Sequence, residues 1–251
     1  MRERFKRLRG SAAQAAALFR KEVFSYSISP AFFGIAIFFL LFTAVWLFNL
    51  QGFFQRDQAS LRLYFSAFPI AFILVIPALT MRSWAEERKL GSIELLLTLP
   101  FSEWALVLGK FFAALGALAA VLVLSVATPL SLSPLGRFDA GVIFTEYVGA
   151  LLLASSAVSL GLLLSALSKN QVAAFLGGVA VLLAVMLCDQ IPWTAALPGA
   201  LNDALKYASL SFHFQSFSKG VLDSRDLAYF LVTTFAFLFL NTRVLLLRKW
   251  S

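Results

Sequence analysis

The most regularly spaced charged residues lie in one stretch, Met81 to Lys110, between two hydrophobic runs. Arg82, Glu86 and Lys89 follow at intervals of four and three residues, so a helix would carry them along one face with their charges paired. A face of this kind performs no reaction of its own, but it is suited to ion pairing and to docking a protein partner. The alternative interpretation is a solvated loop.

The second half of this stretch has the signals of a short helix of its own. Gly91 interrupts the first helical pattern, and Ser92 is a favourable N-cap. Glu94 falls in the first turn, where a carboxylate stabilises the positive helix end. Pro100 ends the helix within about two turns, and Ser102 is predicted to cap the next one. The apolar stripe of the short helix consists of Leu90, Ile93 and Leu97, with Leu96 beside them.

No catalytic or metal-binding motif is present elsewhere in the sequence. The pair Gly109-Lys110 resembles the end of a phosphate-binding loop, but Trp104 stands where that loop has its first glycine and Phe111 replaces its Ser/Thr. The single cysteine, Cys188, excludes an internal disulfide and a cysteine-based metal cluster. The lone His213 is predicted to be structural. We therefore predict no catalytic residues, no metal, no cofactor and no enzymatic activity.

The composition predicts an integral membrane protein. Hydrophobic residues make up 60% of the chain and charged residues 14%, whereas soluble domains have about 45–50% and 25%. A length of 251 residues fits one membrane domain over residues 1–251, with several spans and no large soluble domain.

Hydrophobic runs long enough to cross a bilayer define the predicted fold. Twenty helical residues rise about 30 Å, which is the thickness of the hydrocarbon layer. The fold class is therefore all-α, with six transmembrane helices. These spans are placed near residues 30–50, 61–81, 104–130, 141–167, 171–190 and 227–247.

Three further segments flank the spans. Residues 11–29 are predicted to form an amphipathic helix on the inner surface, with basic residues toward anionic headgroups. A cleaved signal peptide is the alternative, but Gln14 interrupts its apolar region. Residues 82–100 form the polar region between the second and third spans. Residues 191–226 are predicted to be an outer re-entrant segment with two short helices that dip into the outer leaflet.

The distribution of charge predicts the orientation. Six spans put both termini on one side of the membrane, and 15 of the 21 Lys and Arg residues fall on that side. The positive-inside rule therefore places both termini, and residues 82–100 with them, in the cytoplasm. The net charge of +8 is a topology signal under this interpretation, and we predict no binding to nucleic acid.

The interiors of the predicted spans carry no charge near their middles, since residues such as Lys110 and Glu146 lie within a turn or two of an end. Charged groups at the bilayer centre mark ion relays or voltage sensors, so a proton-coupled transporter and a voltage-gated channel are disfavoured. Rows of small residues predict close helix packing, with a transport path or a dimer seam as the alternative. The rows are Gly109, Ala113 and Ala117; Ala157, Gly161 and Ser165; and Ala173 and Gly177.

With these residues in view, the chain resembles the ABC-2-type permeases, the membrane subunits of ATP-driven exporters. The resemblance is greatest to the branch with gliding-motility-associated and copper-maturation permeases, and it covers nearly the whole chain. The pattern of Glu87, Gly91, Glu94 and Pro100 is fairly specific. The matching motifs are FRKEVFSYSISPAFF (Phe19–Phe33), MRSWAEERKLGSIELLLTLPFS (Met81–Ser102), GK (Gly109-Lys110), SALSKNQVAAF (Ser165–Phe175) and FSKGVLDSRDLAYF (Phe217–Phe230).

The resemblance implies a function and a site. In such permeases the region between the second and third spans is a cytoplasmic coupling helix, which docks on a separate ATP-binding subunit, and two permeases work with two ATPases in the cell inner membrane. A membrane scaffold that anchors a cytoplasmic ATPase complex without transport is the alternative; an intramembrane enzyme is disfavoured. The residues expected to bind the ATPase are Glu86, Glu87, Arg88, Gly91, Ser92, Glu94 and Leu97.

Overall fold

The computed structural model describes residues 18–55, 60–91, 102–136, 138–188 and 199–249. Within these residues the regular structure is helical, and no strand occurs. The helices are α1 (18–28), α2 (Pro30–Val45), α3 (Arg62–Phe65), α4 (Ala67–Lys89), α5 (Glu103–Ser125), α6 (Ala127–Leu132), α7 (Ala140–Leu167), α8 (Gln171–Leu187), α9 (Gly199–Ala208), α10 (Leu210–Phe217) and α11 (Ser224–Lys249).

Five helical segments of the described chain are long and apolar enough to cross a membrane. They are Pro30–Leu50, Arg62–Lys89, Glu103–Leu135, Ala140–Leu167 and Ser224–Leu247. These segments overlap five of the six predicted spans, so the prediction of an all-α membrane protein is confirmed. The remaining predicted span, near 171–190, coincides with α8, which has 17 residues and rises only about 25 Å. Six spans therefore remain a prediction.

The bundle is built around α4 and α7. In the most apolar stretches of Arg62–Lys89 and Ala140–Leu167, 67% and 72% of the residues are buried, against 22% in Pro30–Leu50. Helix α7 packs against α4, α5, α8 and α11, and α4 also packs against α2 and α8. The two central helices are therefore in contact with most of the other described helices.

Glycines bring the central helices into close contact. A Cβ on Gly161 of α7 would lie 2.5 Å from Thr80 Oγ1 of α4, and a Cβ on Gly178 of α8 would lie 2.9 Å from the Pro77 Cβ. Any larger residue would force the backbones apart, because packed helices cannot relax over such distances. The predicted packing row through Gly161 is thus found at a contact between helices.

In the fifth predicted span, the small residues that face the bundle lie one position after the predicted row of Ala173 and Gly177. Ala173 is exposed and Gly177 is half-buried with no atom within 4 Å of its Cβ position, whereas Ala174 and Gly178 are buried. Consecutive residues on a helix point about 100° apart. Both rows have the same four-residue spacing, and the spacing does not indicate which of the two faces α4.

Gly149 lies at the contact between α7 and α10, where we predict a strong effect of one added methyl group. Its Cβ would lie 2.5 Å from Cγ of Phe217, a fully buried ring. We expect Gly149→Ala to lower the free energy of unfolding by about 1–3 kcal/mol, as overpacked cores do. The measurement is thermal unfolding of the purified chain in detergent. Gly116→Ala is the matched control, since no atom lies within 4 Å of its Cβ position; equal losses in both variants would contradict the prediction.

Two short helices occur in the predicted outer segment, although residues 189–198 lie outside the described residues. Helix α10 begins after Ser209, whose side chain accepts a hydrogen bond from the Phe212 amide. Its His213 is buried against α11, as a structural role requires. Whether α9 and α10 enter the outer leaflet stays a prediction.

Candidate functional site at the ends of α4 and α5

The polar stretch begins as the last turns of α4. Arg82 to Lys89 belong to this helix, whose C-cap is Leu90. Gly91 follows with φ of 68°, a left-handed conformation in which a side chain would be strained. Its amide donates to the Arg88 carbonyl at 3.1 Å. The predicted break at Gly91 is therefore where α4 ends.

A buried ammonium group lies next to this helix end. Lys110 of α5 is only 1% exposed, and its Nζ is 2.8 Å from Glu87 Oε1 and 2.9 Å from Glu22 Oε1. The same Nζ lies 4.9 Å from the centroid of the buried Trp84 ring, a distance suited to a cation–π contact. Helices α1, α4 and α5 are thus joined at one positive charge. We call Glu22, Trp84, Glu87 and Lys110 the ion cluster.

A second anchor joins the end of α4 to the end of α7. The guanidinium of Arg88 donates to the carbonyl oxygens of Ala166 and Ser168. These carbonyls lie at the C-terminal end of α7, where the helix dipole favours a cation. About one turn before Arg88 on α4, a second contact is made by Ser165 of α7. Its Oγ donates to the Met81 carbonyl and accepts from the Trp84 and Ala85 amides, all within 3.3 Å. The end of α4 is therefore fixed to α7 by several hydrogen bonds.

The start of α5 is also well defined. The Ser102 side chain accepts a hydrogen bond from the Ala105 amide at 3.2 Å, as predicted for an N-cap. Lys110 lies two turns further along the same helix. Residues 92–101, which lie outside the described residues, consequently connect two helix ends that are tied to each other through Glu87 and Lys110.

A cavity of about 480 Å³ lies beside the ion cluster, between α1, α2 and α4. Tyr26 of α1 lines this cavity, and its hydroxyl donates to the Leu79 carbonyl of α4 at 3.3 Å. Burial raises the pKa of Tyr26, so the phenol stays protonated and remains a donor at physiological pH. Helix α1 is thus held to α5 through Glu22 and to α4 through Tyr26.

The predicted site residues fall into three groups. Glu87 and Arg88 are half-buried and bind Lys110 and α7, while Glu86 is half-buried and Gly91 is exposed. Ser92, Glu94 and Leu97 lie outside the described residues. The structure does not test whether any of them contacts a partner.

The remaining members of the ion cluster, Glu22, Trp84 and Lys110, are not among the predicted site residues. Glu22 falls in the predicted surface helix and in the Phe19–Phe33 motif, and Lys110 in the Gly109-Lys110 motif near a span end, but no pattern pairs them. A lysine two turns inside an apolar helix is costly without a partner, and that signal could have prompted a search for its carboxylates. Trp84 carries no comparable signal.

No group of three or more His, Cys, Asp or Glu side chains that could hold a metal ion occurs in the described parts of the chain. The arrangement offers paired charges and fixed helix ends, which suit mechanical connection between helices.

Long apolar helices around two buried central ones define a multi-pass membrane protein. The sequence profile of a family described as "ABC-2 family transporter protein" matches residues 47–241, more than three quarters of the chain. The chain belongs to this family and is a membrane subunit of an ABC transporter. The gliding-motility and copper-maturation branch is not distinguished by this match. None of the curated proteins compared with the chain matches it.

Proposed function

We propose that the chain is the permease subunit of an ATP-driven exporter in the cell inner membrane, with both termini in the cytoplasm. It would pair with a second copy or a related permease and work with two separate ATP-binding subunits. Residues 82–100 would be the docking region for the ATPase, including Glu86, Glu87, Arg88, Gly91, Ser92, Glu94 and Leu97. The observation that supports this proposal best is the anchoring of both ends of residues 92–101.

The anchoring matters because a loop transmits force only if its ends are fixed. Through the ion cluster, a push on residues 92–101 would reach α1, α4 and α5 together. Through Arg88 and Ser165 it would reach α7. Since α4 and α7 form the centre of the bundle, a movement of the docking region would be passed to the helices that surround any substrate path. A solvated loop would not need these ties.

The end of α4 also presents a surface for a partner. Leu90 is 72% exposed, its neighbours Lys89 and Gly91 are exposed, and Arg82 is exposed about two turns earlier. An apolar side chain next to a cation is suited to a cleft with an apolar floor and an acidic edge. The sequence places Leu90 in the predicted stripe with Ile93 and Leu97, so the partner surface would continue into residues 92–101.

Leu90→Asp tests the docking region without disturbing the ion cluster. In the complex reconstituted with its ATPase in liposomes, we expect the permease-dependent ATPase rate to fall at least tenfold, because a carboxylate would enter the apolar cleft. Insertion and thermal unfolding of the permease should be unchanged. Glu87 is less suitable for this test, since its substitution would also remove a partner of Lys110.

Lys169→Asp is the matched control. Lys169 is exposed in the turn between α7 and α8, on the predicted cytoplasmic side of the membrane. Its replacement by Asp changes the net charge by more than Leu90→Asp does. It should leave the ATPase rate unaltered. Full coupling in Leu90→Asp would refute the docking assignment. An ATPase that binds the wild-type chain without any change in its turnover would favour the scaffold alternative.

A further inference from the structure

Glu146 is a buried carboxylate with no role in the arrangement described above. It lies in α7, six residues after the first residue of the helix and therefore about 9 Å along it. The residue is fully buried, and neither carboxylate oxygen has a hydrogen-bond partner among the described residues. The Ser218 side chain interacts with this carboxyl group and Arg62 acts on it through its charge, although neither carboxyl oxygen has a hydrogen bond of full geometry. Burial without a donor is unfavourable, so this carboxylate is suited to a donor that a ligand brings.

A polar cavity adjoins this carboxylate. Its volume is about 280 Å³, and its charged lining residues in the described chain are Arg62, Asp139 and Glu146. Asp139 already caps α7, since its Oδ1 accepts from the Gly141 amide at 2.8 Å. Two carboxyl groups against one guanidinium make the cavity rich in acceptor oxygens, which suits a group that donates hydrogen bonds, such as an amine.

A larger apolar groove shares a wall with the polar cavity. It has a volume of about 900 Å³ between α5, α6 and α7, and Phe138 and Ile143 line both spaces. This volume is in the upper range of small-molecule sites, about 300–1,000 Å³. Val123 and Phe144 on its walls are 70% and 65% exposed, so the groove opens to the surface of the bundle, where acyl chains would surround it.

We propose that the groove and the polar cavity form one binding site for an amphiphile with an alkyl chain and a protonated amine. The chain would lie in the apolar groove, and the ammonium would donate to the carboxylate of Glu146. The proposal names a substrate class for the transporter and rests on the proposed function. The site lies near the end of α7 that is predicted to be non-cytoplasmic.

Photolabelling of the full-length chain in phosphatidylcholine nanodiscs tests this site. The probe is dodecylamine with a diazirine at its terminal carbon, and mass spectrometry locates the label. We expect labelling on groove residues such as Val123 and Phe144, with competition by unlabelled dodecylamine. Glu146→Gln keeps the size of the side chain but removes its charge, and it should weaken apparent binding at least tenfold. The matching dodecanol probe should label both proteins equally and weakly.

Two tryptophan substitutions control for the groove. Val123→Trp should fill it and abolish labelling, whereas Leu176→Trp, at an exposed position of α8, should not. Equal amine labelling in wild type and Glu146→Gln, or labelling elsewhere on the chain, would overturn the proposal. So would a groove closed by a second copy of the chain, seen as crosslinking between copies at position 123 without amine labelling. The assay contains no ATPase, so its failure leaves the docking proposal standing, and uncoupling in Leu90→Asp leaves this site standing.

Discussion

Lys110→Met is expected to lower the free energy of unfolding by about 3 kcal/mol, because it leaves two carboxylates without their shared cation. Removal of one partner from a buried ion pair costs about 3–5 kcal/mol, and the low end applies here because Glu22 and Glu87 are 14% and 15% exposed. Methionine retains most of the aliphatic length, so loss of packing contributes little. The measurement is denaturant unfolding of the purified chain in mixed micelles.

The same variant should also uncouple the transporter. Without Lys110, α5 loses its ionic connection to α1 and α4, and the two ends of residues 92–101 are no longer tied to each other. Lys169→Met, at an exposed turn position, is the control and should change neither stability nor ATPase coupling. Addition of Glu22→Gln and Glu87→Gln to Lys110→Met should restore part of the stability, because no buried charge is then left alone. A Lys110→Met protein as stable as wild type would show that the ion cluster does not hold these helices.

His213→Phe is expected to have an effect of similar size at the other end of the bundle. His213 Nδ1 lies 2.6 Å from Asp226 Oδ1, and Nε2 lies 2.9 Å from the Tyr207 carbonyl. Each ring nitrogen therefore has a polar partner, which a phenylalanine ring could not engage. The ring also stacks on Tyr229 with centroids 3.8 Å apart. Phenylalanine would keep the stacking and leave Asp226, 9% exposed, unpaired, at a cost of about 3 kcal/mol.

The loss of stability in His213→Phe should appear as a lower unfolding temperature and as faster proteolysis between α9 and α11. Asp226→Asn in the His213→Phe background should recover stability, since it removes the isolated charge. A double-mutant cycle with these two positions isolates their interaction. Additive losses in that cycle would contradict the assigned pair. Asp223→Asn serves as the control, because the Asp223 carboxylate accepts locally from the Arg225 amide and asparagine can do the same.

Local patterns predicted the helices well and the contacts between them poorly. The break at Gly91 and the cap at Ser102 depend on neighbouring residues only, and both are found in the structure. The pairing of Lys110 with Glu22 joins residues 88 positions apart, and no local pattern specifies it. The choice between the Gly177 and Gly178 faces of α8 depends likewise on where the Pro77 ring lies. Glu86 is only half-buried because of the way α4 packs against its neighbours. The four-residue spacing between Arg82 and Glu86 does not predict that packing.

The span count illustrates the same limit. Hydropathy identified residues 171–190 as membrane-spanning, whereas α8 ends at Leu187 with 17 residues. A helix of that length spans the membrane only where the bilayer thins around it, and composition alone does not predict such thinning.

The glycine contacts of α4 have an evolutionary consequence. Thr80 faces Gly161 and Pro77 faces Gly178 with no room for another carbon. A bulkier side chain on either partner helix therefore survives selection only with a smaller one opposite it. Residue sizes at each of these two contacts are therefore expected to change together, and α4 constrains how α7 and α8 can diverge.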